Sequence, residues 1–132
     1  MTPRLPWSAA AILLLAYCTG CASTPAYSPK ECPIWEGLAP IQVNPAGARD
    51  RHLRVQAAFQ VCPPVDGIAE IERKRIELRH EAISLLSSQT TTQLEDPLRA
   101  EKLRAQLLIL ANEKVLKKAR VTEVFITGMH LE

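Results

Sequence analysis

The sequence predicts a small α/β domain of the α+β type, in which an N-terminal β-hairpin and a C-terminal strand form a sheet and two long helices pack on one face. Three observations predict this fold. Apolar and polar residues alternate from Leu53 to Val61, as in a strand with one buried face. Apolar residues then recur at spacings of three and four over 68–86 and 100–111, as in amphipathic helices. The stretch 121–131 is rich in β-branched residues, which favour strands.

The first predicted element is a hairpin. Residues 38–43 form its first strand, 44–50 its loop and 53–61 its second strand, because the loop contains Asn, Pro and Gly, all strong turn formers. Centring the turn on Gly47 pairs Ile41 with Leu53, Ala39 with Val55 and Cys32 with Cys62.

This register predicts a disulfide between Cys32 and Cys62. Paired side chains in an antiparallel sheet have Cβ atoms about 4.5–5.5 Å apart, close to disulfide reach. A closed loop of about 30 residues contributes roughly 3–4 kcal/mol in the chain-entropy model. The alternative is two free thiols, because Pro33 and Pro63 can bend both strand ends away.

Helix and strand boundaries follow from capping residues. Asp66 is the predicted N-cap of the first helix, and the small polar residues 87–92 end it. Asp96-Pro97 predicts the start of the second helix, with proline at its first position. Gly128 predicts a bulge in the last strand.

Composition and charge argue against a nucleic-acid-binding protein. The 132 residues suit one domain, and 47% hydrophobic with 23% charged residues is an ordinary globular composition. The net charge of +2 gives no strong basic excess, so a nucleic-acid partner is not expected.

The N-terminal residues predict export and lipid attachment. Arg4 precedes an apolar run of about 13 residues ending at Tyr17, too short to span a bilayer and typical of a secretory signal. Cys18-Thr19-Gly20-Cys21 then resembles the lipobox of bacterial lipoproteins, with Cys18 where leucine is usual. The domain boundaries are therefore a signal peptide at 1–20, a lipid anchor on Cys21 with a tether to residue 36, and a folded domain at 37–132. A plain cleaved signal is the alternative.

Neither a metal site, a cofactor nor catalysis is expected. His52, His80 and His130 share no element at metal spacing, and the cysteines form no C-x-x-C pair. Ser84, Ser87 and Ser88 lack the G-x-S-x-G elbow of a hydrolase. These serines are better interpreted as helix-end capping groups, and the chain as a non-enzyme.

Two surface patterns have two interpretations each. The basic groups at 73–75 and 114–118 suit a solvated helix face or, as the less favoured interpretation, anionic lipid or an acidic partner. The run 107–110 is more apolar than one core face requires, so it suits either the core alone or the core together with a neighbouring subunit.

An ordered set of segments resembles the flagellar basal-body FliL family. The segments lie at 38–43, 51–55, 83–90, 101–104, 109–116 and 120–127, reading LAPIQV, RHLRV, ISLLSSQT, EKLR, ILANEKVL and RVTEVFIT. The resemblance covers about 95 residues in order. It implies a non-enzymatic periplasmic domain with a stomatin (SPFH)-like fold, assembled as a ring around the stator units of the flagellar motor.

The chain departs from that family in its anchor. Family members usually carry an inner-membrane helix, whereas this chain has a lipobox. Ala22 after the lipid cysteine resembles the default signal for outer-membrane sorting, which puts direct stator contact in doubt. We therefore expect a protein on the periplasmic face of one membrane, the outer one favoured by Ala22 and the inner one by the family. The alternative function is an envelope lipoprotein scaffold serving a non-flagellar complex.

Overall fold

The computed structural model describes Ser28 and residues 31–132. The predicted signal peptide, Cys21 and most of the tether lie outside these described residues. The described residues form four strands, four helices and one π-helical turn. The elements are β1 (Ile34–Trp35), β2 (Ile41–Val43), β3 (Leu53–Cys62), α1 (Pro64–Arg73), α2 (Arg75–Ser87), α3 (Thr91–Glu95), α4 (Arg99–Leu110), the π-helical turn (Ala111–Val115) and β4 (Arg120–Leu131).

The sheet is antiparallel and β3 is its central strand. β4 pairs with β3 along its whole length, from Leu53↔Leu131 to Cys62↔Arg120. β1 and β2 pair with different parts of β3, and because a strand has two edges they share the edge opposite β4. The predicted small mixed fold, with an N-terminal hairpin and a C-terminal strand, is confirmed.

The alternation of apolar and polar residues in β3 gives the strand a buried face, as predicted. Leu53, Val55, Ala57, Phe59 and Val61 are buried, whereas Arg54 and Gln56 are exposed. Ala58, which the alternation puts on the polar face, is buried as well. The alternating buried residues share one core with side chains from α1, α2, α4 and β4, among them Ile71, Leu78, Leu107 and Val124. Sheet and helices are therefore held by a single hydrophobic core.

The predicted hairpin register is wrong in its middle and right at its far end. Ile41 pairs with Val55 rather than with Leu53, whereas Trp35 pairs with Phe59 as the predicted register requires. Residues 36–40 leave the sheet between β1 and β2, and this excursion absorbs the two-residue shift.

Strand pairing and burial begin within the segment predicted as the tether. Trp35 is buried, its ring centroid lies 6.0 Å from that of Phe59, and its Nε1 donates to Glu72 Oε2 at 2.6 Å. Burying an indole and pairing its N–H fixes this segment to the core. The folded domain therefore already includes Ile34–Trp35.

The first predicted helix is two helices. A break at Lys74 separates α1 from α2, although no proline or glycine marks it. Lys74 Nζ donates to the Val115 carbonyl at 2.8 Å and lies 4.0 Å from Glu70. The break therefore coincides with contacts to residues far along the chain.

Both predicted N-caps are wrong, and the polar segment predicted to separate the two helices contains the start of a short helix. α1 begins at Pro64, which needs no N–H partner there, so Asp66 falls in its first turn. α4 begins at Arg99, and Asp96 instead accepts from the Leu98 N–H at 2.8 Å. Within 87–92 the short α3 begins from a capping box of Thr90 and Gln93.

The last strand carries two bulges. One inserts Thr127 between Ile126 and Gly128, beside the predicted position, and the other inserts Thr122. Each threonine hydroxyl donates to a carbonyl of β3, Thr127 to Gln56 at 3.2 Å and Thr122 to Gln60 at 3.4 Å.

Candidate functional site

The end of the sheet where β3 finishes and β4 begins, here called the anchor end, contains the predicted cysteine pair. The structure joins Cys32 to Cys62, with Cα atoms 5.2 Å apart and 30 residues between them in sequence. Both are nearly completely buried. Cys62 also pairs with Arg120 across the sheet. The point where the described domain begins is therefore tied to its central strand.

A buried carboxylate fixes the chain that leads into β4. Glu70 of α1 is 5% exposed and accepts hydrogen bonds from the backbone N–H groups of Lys117, Lys118 and Ala119, the last two at 3.1 and 2.8 Å. A carboxylate can accept several such bonds, and charge-assisted bonds are about twice as strong as neutral ones. Glu70 therefore holds the 117–119 segment against α1.

These contacts also determine the protonation of Glu70. Burial raises the pKa of the carboxyl, but the three N–H donors and the nearby charge of Lys74 lower it by more, so its pKa lies below the usual value of 4.5. Glu70 is thus ionised at neutral pH, which suits an acceptor of N–H groups.

The Asn112 side chain makes a second set of hydrogen bonds to the backbone at the same end. Its Nδ2 donates to the Val121 carbonyl at 2.9 Å, and its Oδ1 accepts from the Val121 N–H at 2.7 Å. The amide therefore pairs with β4 as a neighbouring strand would, and it protects the first residues of that edge.

The structure separates the basic side chains into two groups. Lys74 binds Val115 and Glu70, Arg75 binds Glu72 at 3.0 Å, and Lys114 lies 3.6 Å from Glu81. Across the described residues, Arg73, Lys117, Lys118 and Arg120 have no carboxylate within ion-pair distance. These four surround the anchor end.

The face of the sheet that points away from the hydrophobic core is polar and open to solvent. A shallow depression of about 450 Å³ lies over it. It contains His52, the residue before β3, and His130 of β4. Facing pairs are Arg54 with His130 and Gln56 with Gly128. Gly128 contributes no side chain, which leaves room there. The depression is lined by Gln42, His52, Arg54, Gln56, Thr127, Gly128, His130 and Glu132.

This depression brings together two of the three histidines considered above, His52 and His130, and leaves His80 on α2. No group of three His, Cys, Asp or Glu side chains with metal-binding geometry occurs among the described residues. Ser88 caps the end of α2 by donating to the Leu85 carbonyl at 2.7 Å, in line with the capping interpretation.

Apolar side chains remain exposed on two helices. Ile76 on α2 is 82% exposed, and Ile109 on α4 is 55% exposed. From the run 107–110, Leu107 and Leu110 enter the core, Leu108 is half-buried and Ile109 points outward. Leu98, just before α4, is 59% exposed, so an exposed apolar side chain lies near each end of this side of α4.

The sequence predicted the proximity of the two cysteines but gave no sign of the hydrogen bonds that Glu70 and Asn112 make to distant backbone groups. Glu70 lies in a segment of mixed charge that predicts a solvated helix face. Its partners are 47–49 residues away in sequence, and no local pattern reports such a distance. A Thr-x-x-Gln signal for the cap of α3 was present at residues 90–93.

Comparison with known proteins identifies one family. The family model described as "Flagellar basal body-associated protein FliL" matches residues 37–131, which include β2, β3, β4 and all four helices. No curated protein matches the chain. Among the described residues, no helix has the length and apolarity required to cross a membrane.

Proposed function

The chain belongs to the flagellar basal body-associated FliL family, and from this membership we propose that it is a lipid-anchored accessory protein of the basal body that supports the stator units of the motor. The family match across residues 37–131 carries the proposal. The contribution we propose is assembly around the motor rather than chemistry.

The anchor in this proposal is a lipid on Cys21 facing the periplasm. The apolar run ending at Tyr17 and the small Gly20 before Cys21 support it. Several acyl chains hold a protein firmly, whereas one holds it only marginally. The periplasm is oxidising, so we also propose that Cys32 and Cys62 are disulfide-bonded in the cell.

Mass spectrometry of the mature N-terminus tests the anchor. We expect a chain that begins at Cys21 and carries acyl groups. Cys21→Ser should abolish the modification, whereas the matched variant Cys18→Ser should keep it. An unmodified Cys21 in the mature wild-type chain would refute lipid anchoring.

Assembly is proposed to use the outer side of α4. Leu98 and Ile109 are exposed and eleven positions apart, about 16 Å along a helix. Leu108 is half-buried between α4 and β4, where it lines a groove with Ala105 and Val124. Burying these side chains between subunits would remove apolar surface from water.

Chemical cross-linking in membranes tests this contact. Leu98→Glu with Ile109→Glu should abolish higher oligomers. Val65→Glu with Ile76→Glu changes two residues that are more than 80% exposed on the other helices and should leave the oligomers intact. Equal cross-linking of both variants would exclude the α4 side as the contact.

Motility measurements test the flagellar role. Deletion of the gene should reduce swarming and the torque of motors under load, and wild type supplied in trans should restore both. The chain with Leu98→Glu and Ile109→Glu should fail to restore them. Normal swimming and swarming in the deletion strain would overturn the proposal.

A second candidate function is an envelope lipoprotein scaffold for a non-flagellar complex. Ala22 favours it, because a small apolar residue after the lipid cysteine resembles the signal for outer-membrane sorting. Fractionation of inner and outer membranes separates the candidates: outer-membrane residence together with normal motility would favour the scaffold.

A further inference from the structure

We propose that Arg73, Lys117, Lys118 and Arg120, here the cationic surface, contact the anionic phospholipid headgroups of the membrane that holds the chain. This inference rests on the proposed lipid at Cys21. It gives the domain a fixed orientation, with the anchor end toward the bilayer and the hairpin loop away from it.

The first support is the charge that remains unpaired. The four side chains of the cationic surface have no carboxylate partner within the described residues, whereas Lys74, Arg75 and Lys114 each lie close to a glutamate. The carboxylates of Glu31 and Asp66 lie in the same region. The carboxylate of Glu70 is buried and occupied by backbone N–H groups, so it is not available to neutralise the cationic surface.

The second support is position. Arg120 faces Cys62 across the sheet, and Cys62 is joined to Cys32. Arg73 and Lys118 line one depression of about 380 Å³ together with Pro63, the residue after Cys62. The cationic surface thus surrounds the place where the chain from Cys21 enters the domain.

The third support is covalent reach. Eleven peptide units join Cys21 to Cys32, and an extended chain spans at most about 3.6 Å per residue. The entry point of the domain therefore lies no more than about 40 Å from the lipid.

The fourth support is rigidity. Glu70 binds the backbone N–H groups of Lys117 and Lys118, so this segment is already ordered before any lipid is met. Their side chains are exposed. Binding to phosphate groups then requires ordering of side chains alone, which reduces the entropy lost.

Lysine acetylation of the full lipidated chain in vesicles tests the proposal. Vesicles of phosphatidylcholine are compared with vesicles that also contain phosphatidylglycerol, and labelling of each lysine is measured by mass spectrometry. We expect Lys117 and Lys118 to react about three- to tenfold more slowly on the anionic vesicles. Lys102, which pairs with Asp96, should react equally on both, and high salt should remove the difference.

Two matched variants sharpen the test. Lys118→Gln with Arg120→Gln should remove most of the protection of Lys117. Arg49→Gln with Arg54→Gln removes the same charge at the opposite end of the sheet, where β3 begins, and should keep the protection. Arg54 lies about 27 Å along β3 from Cys62. Loss of protection in both variants would show only a response to net charge and would overturn the proposal.

Other outcomes also decide the matter. Equal labelling of Lys117 and Lys118 on both vesicle types would overturn it. Protection that requires an envelope extract instead of anionic lipid would assign the surface to an acidic protein and would also overturn it. A chain that fails to float with phosphatidylcholine vesicles would refute the lipid anchor. In that case the cationic surface would have to bind phosphatidylglycerol vesicles without help from a lipid on the chain. Failure to bind them would refute the proposed role of the cationic surface as well.

Discussion

The two ends of the sheet are held by different kinds of interaction. At the anchor end, the Cys32–Cys62 contact, the buried Glu70 and the Asn112 side chain hold β3, α1 and β4 together. At the other end, here the hairpin-loop end, Asn44 bridges the carbonyls of Arg49 and Arg51 at 3.0 Å each, in contact with solvent. Water competes for exposed polar groups but not for buried ones. We therefore expect stability to be concentrated at the end of the sheet that contains Cys62 and Glu70.

Loss of the Glu70 carboxylate should have the largest effect. Glu70→Ala leaves three N–H groups without their acceptor and Lys74 without its nearby charge, so the free energy of unfolding should fall by about 3–5 kcal/mol. Urea unfolding monitored by circular dichroism measures it. Glu81→Ala removes a more exposed carboxylate beside Lys114 and should change stability by about 1 kcal/mol or less.

Removing the disulfide should come next. The double variant Cys32→Ala with Cys62→Ala opens a loop with a sequence separation of 30 and should lose about 3–4 kcal/mol. Reductant should destabilise the wild type by a similar amount and leave the variant unchanged. A wild type indifferent to reductant would show that the bond contributes little, and the contrast between the two ends would then rest on Glu70 and Asn112.

Acid should remove the stabilisation that Glu70 provides at the anchor end. Because the pKa of Glu70 is lowered on folding, the unfolded chain binds the proton first as pH falls. The stabilisation is therefore complete above pH 4.5, the usual pKa, and is lost as pH falls through the lower folded value. Unfolding measured against pH should show this loss in the wild type and a shallower one in Glu70→Gln. A residual slope is expected from Asp96, whose pKa is lowered chiefly by its hydrogen bond from Lys102.

Substitution at the hairpin-loop end should have the smallest effect. Thr90 caps α3 and forms an isolated bridge with Ala46 of the hairpin loop. Thr90→Ala removes the side-chain cap and should cost about 1 kcal/mol. Thr90→Ser keeps the hydroxyl and serves as the control. A loss as large as that of Glu70→Ala would contradict the proposed concentration of stability at the anchor end.

The sequence predicted most of what depends on local periodicity. Alternation in β3 identified its buried face, and the β-branched run identified β4 with a bulge one residue from the observed one. The cysteine partners followed from the hairpin because the register at Trp35 and Phe59 is the predicted one. The family resemblance followed from several short segments in the right order, and the match over 37–131 confirmed it.

Contacts between distant residues were beyond local patterns. The excursion of 36–40 shifts the register at Ile41, and Trp35 joins the core because Phe59 and Glu72 lie beside it. The break at Lys74 likewise coincides with a contact to Val115, forty-one residues away. None of these partners is adjacent in sequence, so propensity alone predicts a tether, an unshifted hairpin and a continuous helix.

By itself, the sequence determined which segments become strands and helices and which of their faces are apolar, because backbone geometry turns residue spacing directly into a buried side. Only the tertiary structure decided which charges are used internally and which remain on the surface. Glu70 and Lys118 both lie in charged segments, yet one carboxylate is enclosed by three N–H groups and one ammonium group has no carboxylate beside it among the described residues. The reason is that desolvation and pairing depend on three-dimensional neighbours, and these exist only after the chain has folded.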